Sequence, residues 1–499
     1  MQITSSSKHT LQKVVALLLV LAALYLLGFI VFTNLGELRI LDYDEARHGI
    51  NAYEMIKNDD YIVQTNQGEA DYWNLKPPLS FWAITLSYRL FGYNSFALRF
   101  HSALAVVLTG IAITAWFFKR KAYIPAFIAI LAILASTSIN GDHFARTGDA
   151  DALYQLFFTL AMLFMLSSTK KFEWLYGSAL CFGLAFLCKA THAFLIPAIC
   201  FFHLLLSGQI KELKPKRILL LLLAGLCLIV PWAIARYMSD GMAFFKGMIS
   251  TDVAERIGTS AHEVYLDKPT IVYYYHMVFK TPIVMVCTVS SAIMLLTLLL
   301  AKVKIDKRRL SELIGCVLWI VLPVILYSIA NVRFVWYVNS VHLALSVLTG
   351  LLLLTLIQTG TLKKWVALYS VILMVFFGIH TYQNAMTSVN STFDHSLQSF
   401  LRNLYIRDYD ADTHVFIDYG TGDERNDEYA GNWMPADILT SYFYGDVVCV
   451  NGGMEAFDES DEFAIMIMVR NGNEDIIDET AGYYTLRDEN YYYIALSNY

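Results

Sequence analysis

Charge is the scarcest property of this 499-residue chain. Asp, Glu, Lys and Arg make up 16% of it, against about 25% in soluble domains, while 57% is hydrophobic and the mean hydropathy is +0.48. That balance excludes an ordinary soluble domain, and disorder more firmly. Paired-cysteine patterns are also missing: six of the seven cysteines, Cys181, Cys188, Cys200, Cys227, Cys287 and Cys316, lie in strongly apolar runs, where they serve as small hydrophobes. Only Cys449 lies in polar sequence, so a structural disulfide there lacks a partner. There is no CxxC, no His/Cys spacing for zinc, no repeat of fixed period, no low-complexity tract, and nothing resembling a basic nucleic-acid surface. Lysine is missing altogether after Thr387, where five arginines face 22 acids, whereas the residues before it carry an excess of cations. The net charge of −6 therefore hides a basic, apolar body, residues 1–386, followed by an acidic domain, residues 387–499.

What is present is a series of long apolar runs. A spanning helix needs about 20 apolar residues, and eleven stretches qualify: 14–32, 96–118, 122–139, 152–168, 174–187, 194–206, 218–235, 282–301, 313–329, 336–356 and 365–383. The first is read as an anchor, because no small-residue cleavage site follows it. Lys and Arg collect in every second connection: Lys8 and Lys13, residues 119–121, Lys170 and Lys171, residues 211–217, residues 302–309, and Lys363 with Lys364. By the positive-inside rule this places the N-terminus in the cytoplasm and the acidic domain outside. The expected fold is mainly α, a polytopic helical membrane protein, with a small C-terminal α/β domain. Strand-like runs occur at 414–419, 447–450, 463–469 and 491–496, with a helix-like 435–444.

The opposite loops are long, 36–91 and 237–281, and loops of that length on one face are uncommon unless functional. Chemistry is therefore expected outside, where charges break the apolar pattern. Asp42, Asp44 and Glu45 follow the first span. An adjacent carboxylate pair at the water boundary suits a base acting on an acceptor hydroxyl, with Arg47 holding one oxygen or a substrate anion. Asp44 equally suits the N-cap of an amphipathic helix over 45–56. In Lys76-Pro77-Pro78-Leu79 the prolines fix a rigid, extended approach that presents Lys76 at the height of a lipid phosphate; a snorkelling lysine before a helix start has the same sequence. The turn 142–151 holds Arg146, Asp149 and Asp151, with Asp149 and Asp151 spaced to ligate a divalent metal or Asp151 to cap a helix. Lys189 ends one span, Arg256, His262 and His276 lie in the second long loop, and Arg333 follows another span. Separated cations on one face suit a phosphate leaving group, and singly they are ordinary solvated residues. Tyr and Trp near this boundary, such as Tyr72-Trp73 and Trp336-Tyr337, fit an interfacial belt.

The order of these motifs resembles the GT-C-type membrane glycosyltransferases, in particular the lipid A aminoarabinose transferase and protein O-mannosyltransferase group. The resemblance rests on Asp44-Glu45-Ala46-Arg47, Lys76-Pro77-Pro78-Leu79, Phe91-Gly92, Phe96-Ala97-Leu98-Arg99, Arg146 and Asp151-Ala152-Leu153, and covers about 11–356. It implies transfer of a sugar, with inversion, from a polyprenyl-phosphate donor to an envelope acceptor such as lipid A or another glycan or lipid. Asp44 then resembles the acid of the first loop and Asp151 the second acid, with Glu45 beside the first. Lys76 and Arg256 resemble the pair that meets the lipid phosphate, joined by Arg333 and Lys189, while Arg47, Arg146 and His262 are expected to touch substrate. Ala190 stands where Gly usually follows the Lys189-like lysine, Val332-Arg333 replaces Ser-Lys, and Leu75 replaces a Glu at which some relatives bind metal. A neutralised phosphate is a competent leaving group, so a divalent metal is not strictly required; the cofactor stays open, with Asp149 and Asp151 the expected ligands if a metal binds. Protein O-mannosylation is a second enzyme reading. A lipid-linked sugar flippase is the reading from another class, disfavoured because transporters place charges near the midplane in paired halves.

Overall fold

The computed structural model describes residues 5–250, 281–330, 334–360, 362–392, 396–408, 412–420, 429, 431–461, 463–469, 473, 485–489 and 492–496. The contacts divide the chain into two compact units, Met1–Leu35 with Leu75–Ala83 and Arg99–Ser391, and Gly36–Asn74 with Ile84–Leu98 and Thr392–Tyr499. The second unit thus takes in most of the first long loop together with the acidic end of the chain.

Helices follow in the order α1 (Ser5–Phe32), α2 (Asp44–Lys57), α3 (Leu79–Phe91), α4 (Ser95–Phe118), α5 (Tyr123–Leu134), α6 (Asp151–Ser168), α7 (Trp174–Lys189), α8 (Leu195–Leu206), α9 (Pro215–Leu226), α10 (Ile229–Asp240) and α11 (Ala243–Ile249). Pro282–Leu300, Lys307–Ile329, Asn339–Thr359 and Lys363–Val389 are further described helices of the first unit. All eleven apolar stretches of the sequence are helical in whole or large part. Among the described residues, however, eight helical runs are long and apolar enough to cross a membrane, or nine if α9 and α10, bent by 49°, form one span. Two features account for the difference. α7 and α8 form a continuous helical run, 174–206, through the 3₁₀ turn Ala190–Phe194, which folds α8 back along α7 so that Ser178 Oγ and Cys200 Sγ lie 3.3 Å apart. α5 has 12 residues, about 18 Å of helix against a hydrocarbon core of about 30 Å.

A helix that ends short inside apolar surroundings leaves carbonyls without water. Here Asn384 supplies the missing donor, its Nδ2 giving hydrogen bonds to Leu134 O at 2.7 Å and Ser136 O at 3.0 Å. Asn339–Thr359 is buried along nearly its whole length and is the central helix of this unit. Its Gly350 has no room for a side chain: an added Cβ would lie 2.7 Å from Phe117 Cζ and 2.9 Å from Pro125 O. Such small-residue contacts replace the hydrophobic driving force that helices lack in lipid.

The second unit holds a five-stranded sheet built from β3 (His414–Asp418), β4 (Val448–Cys449), β5 (Ala464–Val469), β6 (Thr485–Glu489) and β7 (Tyr492–Leu496), after the short hairpin β1 (Thr65–Asn66) and β2 (Glu69–Ala70). The order is β4-β3-β5-β7-β6, parallel from β4 through β5 and antiparallel from β5 to β6. The period-2 pattern sorts its faces. Val415, Ile417, Ile465 and Ile467 pack with Leu439, Trp433, Ile50 and Leu98, while Phe416, Met466 and Met468 face Phe457. β6 is the strand that sequence pattern missed, its Thr-Leu-Arg-Asp-Glu run being too polar to read as a strand.

Asp437, in the helix Pro435–Tyr444, is buried in this core and accepts the Tyr419 hydroxyl at 2.9 Å. Burial, reinforced by Asp42, pushes its carboxyl up to about 7. The folded state therefore keeps a proton that the unfolded chain releases near pH 3.9. This contribution is complete below about pH 3.9 and is lost as pH rises through 7. Stability measured by denaturation should fall over that interval, and Asp437→Asn should flatten the dependence.

Candidate active site

In the second unit the acidic pair sits where α2 begins. Tyr43, at a positive φ of 63°, turns the chain into the helix and gives no side-chain cap, and Asp44 is already the first helical residue. Asp44 is thus not the N-cap that the sequence also allowed. Its half-buried carboxylate lies at the helix end whose dipole favours negative charge. Its backbone oxygen accepts His48 Nδ1 at 2.6 Å. Glu45 is 2% exposed and its Oε2 accepts the Leu41 amide at 2.8 Å, which ties the incoming loop to the helix. The two adjacent acids therefore differ: Glu45 braces the backbone, and Asp44 is the more accessible.

Arg47 pairs with Asp71 (Nη2 to Oδ1, 3.5 Å) and lies over the Trp73 ring at 5.1 Å. Asp71 is 4% exposed and organises the whole loop: Oδ1 accepts the amides of Trp73 at 3.0 Å and Asn74 at 3.2 Å, and Oδ2 accepts Asn51 Nδ2 at 3.0 Å. Sequence reading passed over Asp71; its signal is an acid two and three residues before the amides it caps, an Asx-turn pattern.

In the first unit Lys76 is half-buried, followed by two buried prolines and the start of α3 at Leu79. The residue before it, Leu75, is packed with Leu187, Trp232 and Phe244. This position offers hydrocarbon where a metal ligand would be needed.

α6 and α7 run antiparallel, which brings Asp151 at the start of one to Lys189 at the end of the other. The ammonium donates to both Asp151 oxygens, at 2.6 and 2.8 Å, and lies 5.1 Å from the centre of the Tyr337 ring. Side-chain exposure is 11% for Lys189 and 6% for Asp151, so this is a buried ion pair. Next to it Asp149, 1% exposed, pairs with His143 Nδ1 at 2.8 Å, accepts the Thr147 hydroxyl at 3.1 Å and, through Oδ1, the Asp151 amide at 3.1 Å. His143 stacks on Trp336 at 4.0 Å. Its role was not anticipated, because its partner lies six residues on across a turn.

Ligand atoms of His143, Asp149 and Asp151 lie within 4.8 Å of one another. One imidazole and two carboxylates are a reasonable donor set for a divalent ion. Both Asp151 oxygens, however, also accept from the Lys189 ammonium, so an ion bound there would share Asp151 with a second cation. As arranged, the lysine supplies the positive charge.

Arg146, expected at substrate, spends its guanidinium on the end of α1: Nη1 donates to Ile30 O at 2.8 Å and Thr33 O at 2.7 Å, and Nη2 to Asn34 O at 3.4 Å and Ser391 Oγ at 3.3 Å. Arg99 reinforces this with a bond to Leu35 O at 3.1 Å. Burial, with Arg99 nearby, lowers Arg146 to about 10, so it remains charged at neutral pH. Hydrogen bonds to charged groups contribute about 1.5–3 kcal/mol each. Counting only the two bonds below 3 Å at the low end of that range, Arg146→Ala should cost at least about 3 kcal/mol, read as a lower unfolding midpoint, with the KM for donor unchanged in the protein that folds; a raised KM would return Arg146 to the substrate. Arg256, His262, His276 and Arg333 lie outside the described residues.

The described contacts thus gather Asp44, Glu45, Arg47 and Asp71 in one unit, and Asp149, Asp151, Lys189 and His143 in the other. Residues 75–234 match the family model described as dolichyl-phosphate-mannose-protein mannosyltransferase. That stretch contains Lys76, Asp149, Asp151 and Lys189, and begins after Asp44. An uncharacterized protein of Aquifex aeolicus is 26% identical over 341 residues, 67% of this chain and 62% of its own length. The undecaprenyl phosphate-alpha-4-amino-4-deoxy-L-arabinose arabinosyl transferase of Aeromonas salmonicida is 27% identical over 331 residues, 64% of this chain and 56% of its own. The chain therefore spans about three fifths of the length of these curated relatives. The crystal structure of ArnT from Cupriavidus metallidurans bound to undecaprenyl phosphate superposes with a TM-score of 0.65 at 13% identity, covering 96% of this chain and 97% of that one.

Fold and comparisons together define a polytopic membrane protein with the GT-C-type architecture. Within that class the chain is similar over 75–234 to the dolichyl-phosphate-mannose-protein mannosyltransferase model, and over about two thirds of its length to the arabinosyl transferase of Aeromonas salmonicida.

Proposed function

We propose that this protein is an inverting glycosyltransferase of the inner membrane that moves a sugar from a polyprenyl-phosphate donor to an envelope acceptor, lipid A or another glycan or lipid. The observation that carries the reading is the family match over 75–234, which contains both the Lys76-Pro77-Pro78-Leu79 approach and the buried Asp151–Lys189 pair. In the reaction an acceptor oxygen attacks the anomeric carbon, the bond from that carbon to the lipid phosphate oxygen breaks, and the phosphate leaves with the electron pair. Asp44 takes the acceptor proton, and Lys76, with Arg256 and Arg333, carries the charge of the departing phosphate. The cation-rich loops face the cytoplasm, so that Asp44, Lys76 and the acidic domain face outward.

The test is transfer by detergent-purified protein from a panel of polyprenyl-phosphate sugars to lipid A, glycan and peptide acceptors. Transfer with inverted anomeric configuration is expected. Transfer to peptide alone favours protein O-mannosylation, which the name of the matching family model supports. Donor translocation into vesicles without transfer to any acceptor would replace the enzyme by a flippase.

A further inference from the structure

At the other end of α6 and α7 from the Asp151–Lys189 pair lies a second charged pocket that the proposed reaction does not use. α6 spans 18 residues, about 27 Å of helix, so this pocket and the acidic cluster lie at opposite ends of the spanning helices. Its volume is about 300 Å³. The rim carries Lys119, Arg120, Lys170 and Arg308 with Trp116 and Trp174, and the floor is hydrocarbon from Leu160, Leu163 and Phe164 of α6 and from α4.

The charge in this pocket does not balance among the described residues. Glu312, 1% exposed, is the acid that serves Arg120 at 2.8 Å, Arg308 at 3.4 Å and Arg309 at 3.0 Å. One carboxylate against three guanidinium groups leaves a positive surplus, and Lys119 and Lys170 add to it. Both lysines are exposed; Lys119 Nζ lies 5.3 Å from the centre of the Trp174 ring. Arg120 Nε is buried with no hydrogen-bond partner. A second basic group flanks the same end, since Arg217 lies over Phe172 at 4.3 Å and brings Lys214 and Lys216 with it.

We propose that this pocket binds an anionic glycerophospholipid, with its phosphate on Lys119, Lys170 and Arg308 and its acyl chain along α4 and α6. The floor decides between a lipid and a soluble phosphate. It is formed by faces of two helices long and apolar enough to span a bilayer, so the ligand that covers it must itself be partly hydrocarbon. The tryptophans lie between charged rim and apolar floor, the depth such rings favour at a membrane interface. The lipid belongs to the leaflet opposite the one that would hold the sugar donor's phosphate.

Native mass spectrometry of the detergent-purified full chain, titrated with phosphatidylglycerol or with phosphatidylcholine of the same acyl chains, tests this. Phosphatidylglycerol should bind in preference, and inorganic phosphate should not compete. Lys119→Ala combined with Lys170→Ala, both at exposed positions, should weaken phosphatidylglycerol by roughly 30-fold, while Lys302→Ala with Lys304→Ala, exposed on a neighbouring basic loop, should leave it unchanged. Equal binding of the two lipids, or equal losses in the two double variants, would overturn the site in favour of diffuse charge. Full competition by inorganic phosphate would overturn the lipid and leave an anion site. Sugar transfer by the Lys119/Lys170 variant should match wild type, which keeps this result separable from the outcome for the catalytic proposal.

Discussion

Asp44→Asn is expected to lower sugar transfer by about 10²–10⁴-fold, the range that a positioned general base contributes. Asparagine keeps the size of the side chain and its hydrogen-bonding oxygen but takes up no proton. Asp44 is half-buried, the turn into α2 is set by Tyr43 and by the bond from the Leu41 amide to Glu45, and asparagine keeps the volume of the side chain. Thermal stability and donor binding should therefore stay near wild type while turnover collapses. Glu45→Gln makes the contrast. That side chain is 2% exposed and braces the backbone, so its loss should be read in the unfolding midpoint more than in chemistry. Wild-type turnover in Asp44→Asn would remove Asp44 from the mechanism, whatever the result for its neighbour.

The largest effect on stability is expected at Asp151 and Lys189. Removing one member of a buried ion pair strands the other charge, which costs about 3–5 kcal/mol. Lys189→Met and Asp151→Asn should each lose that much. The double variant should lose clearly less than the sum, because neither charge is then left alone. The pair is held by two short bonds and has Asp149 beside it, so Lys189→Met also leaves two acids facing each other, with the His143 imidazole on Asp149. Unfolding midpoints in a double-mutant cycle read the coupling directly. Additive losses would mean that the two side chains contribute independently and that Lys189 does not supply the charge Asp151 needs.

Much of the fold was legible in the sequence because lipid is an unforgiving solvent. Every apolar run had to become helix, and each did. What hydropathy could not show was length in three dimensions: α5 reads as a span by composition, but its backbone closes after 12 residues and relies on Asn384, some 250 positions away, to finish its last carbonyls. The site was legible as residue types rather than as pairings. Asp151 and Lys189 both stood out as charges at span ends, yet their ion pair exists only through the antiparallel register of α6 and α7. Arg146 stood out for the same reason, and the structure gives it to the carbonyls of α1. Asp71 and His143 escaped notice because each works through a local turn, where a single acid or imidazole looks like any other loop residue.

The interleaved make-up of the second unit bears on how the protein comes into being. Its core joins Ile50, Tyr53 and Leu98, made early in synthesis, to Val415, Leu439 and Ile465, made after the last spanning helix. The loop that carries Asp44 has no complete core until the residues after the last spanning helix have been made, so its packing must wait while the intervening spans are inserted. A chain cut short near residue 386 would thus lose more than an appendage. It would strip the packing from beneath α2, and the acid proposed to act there, left on an unsupported helix, would be a defect of assembly before one of chemistry.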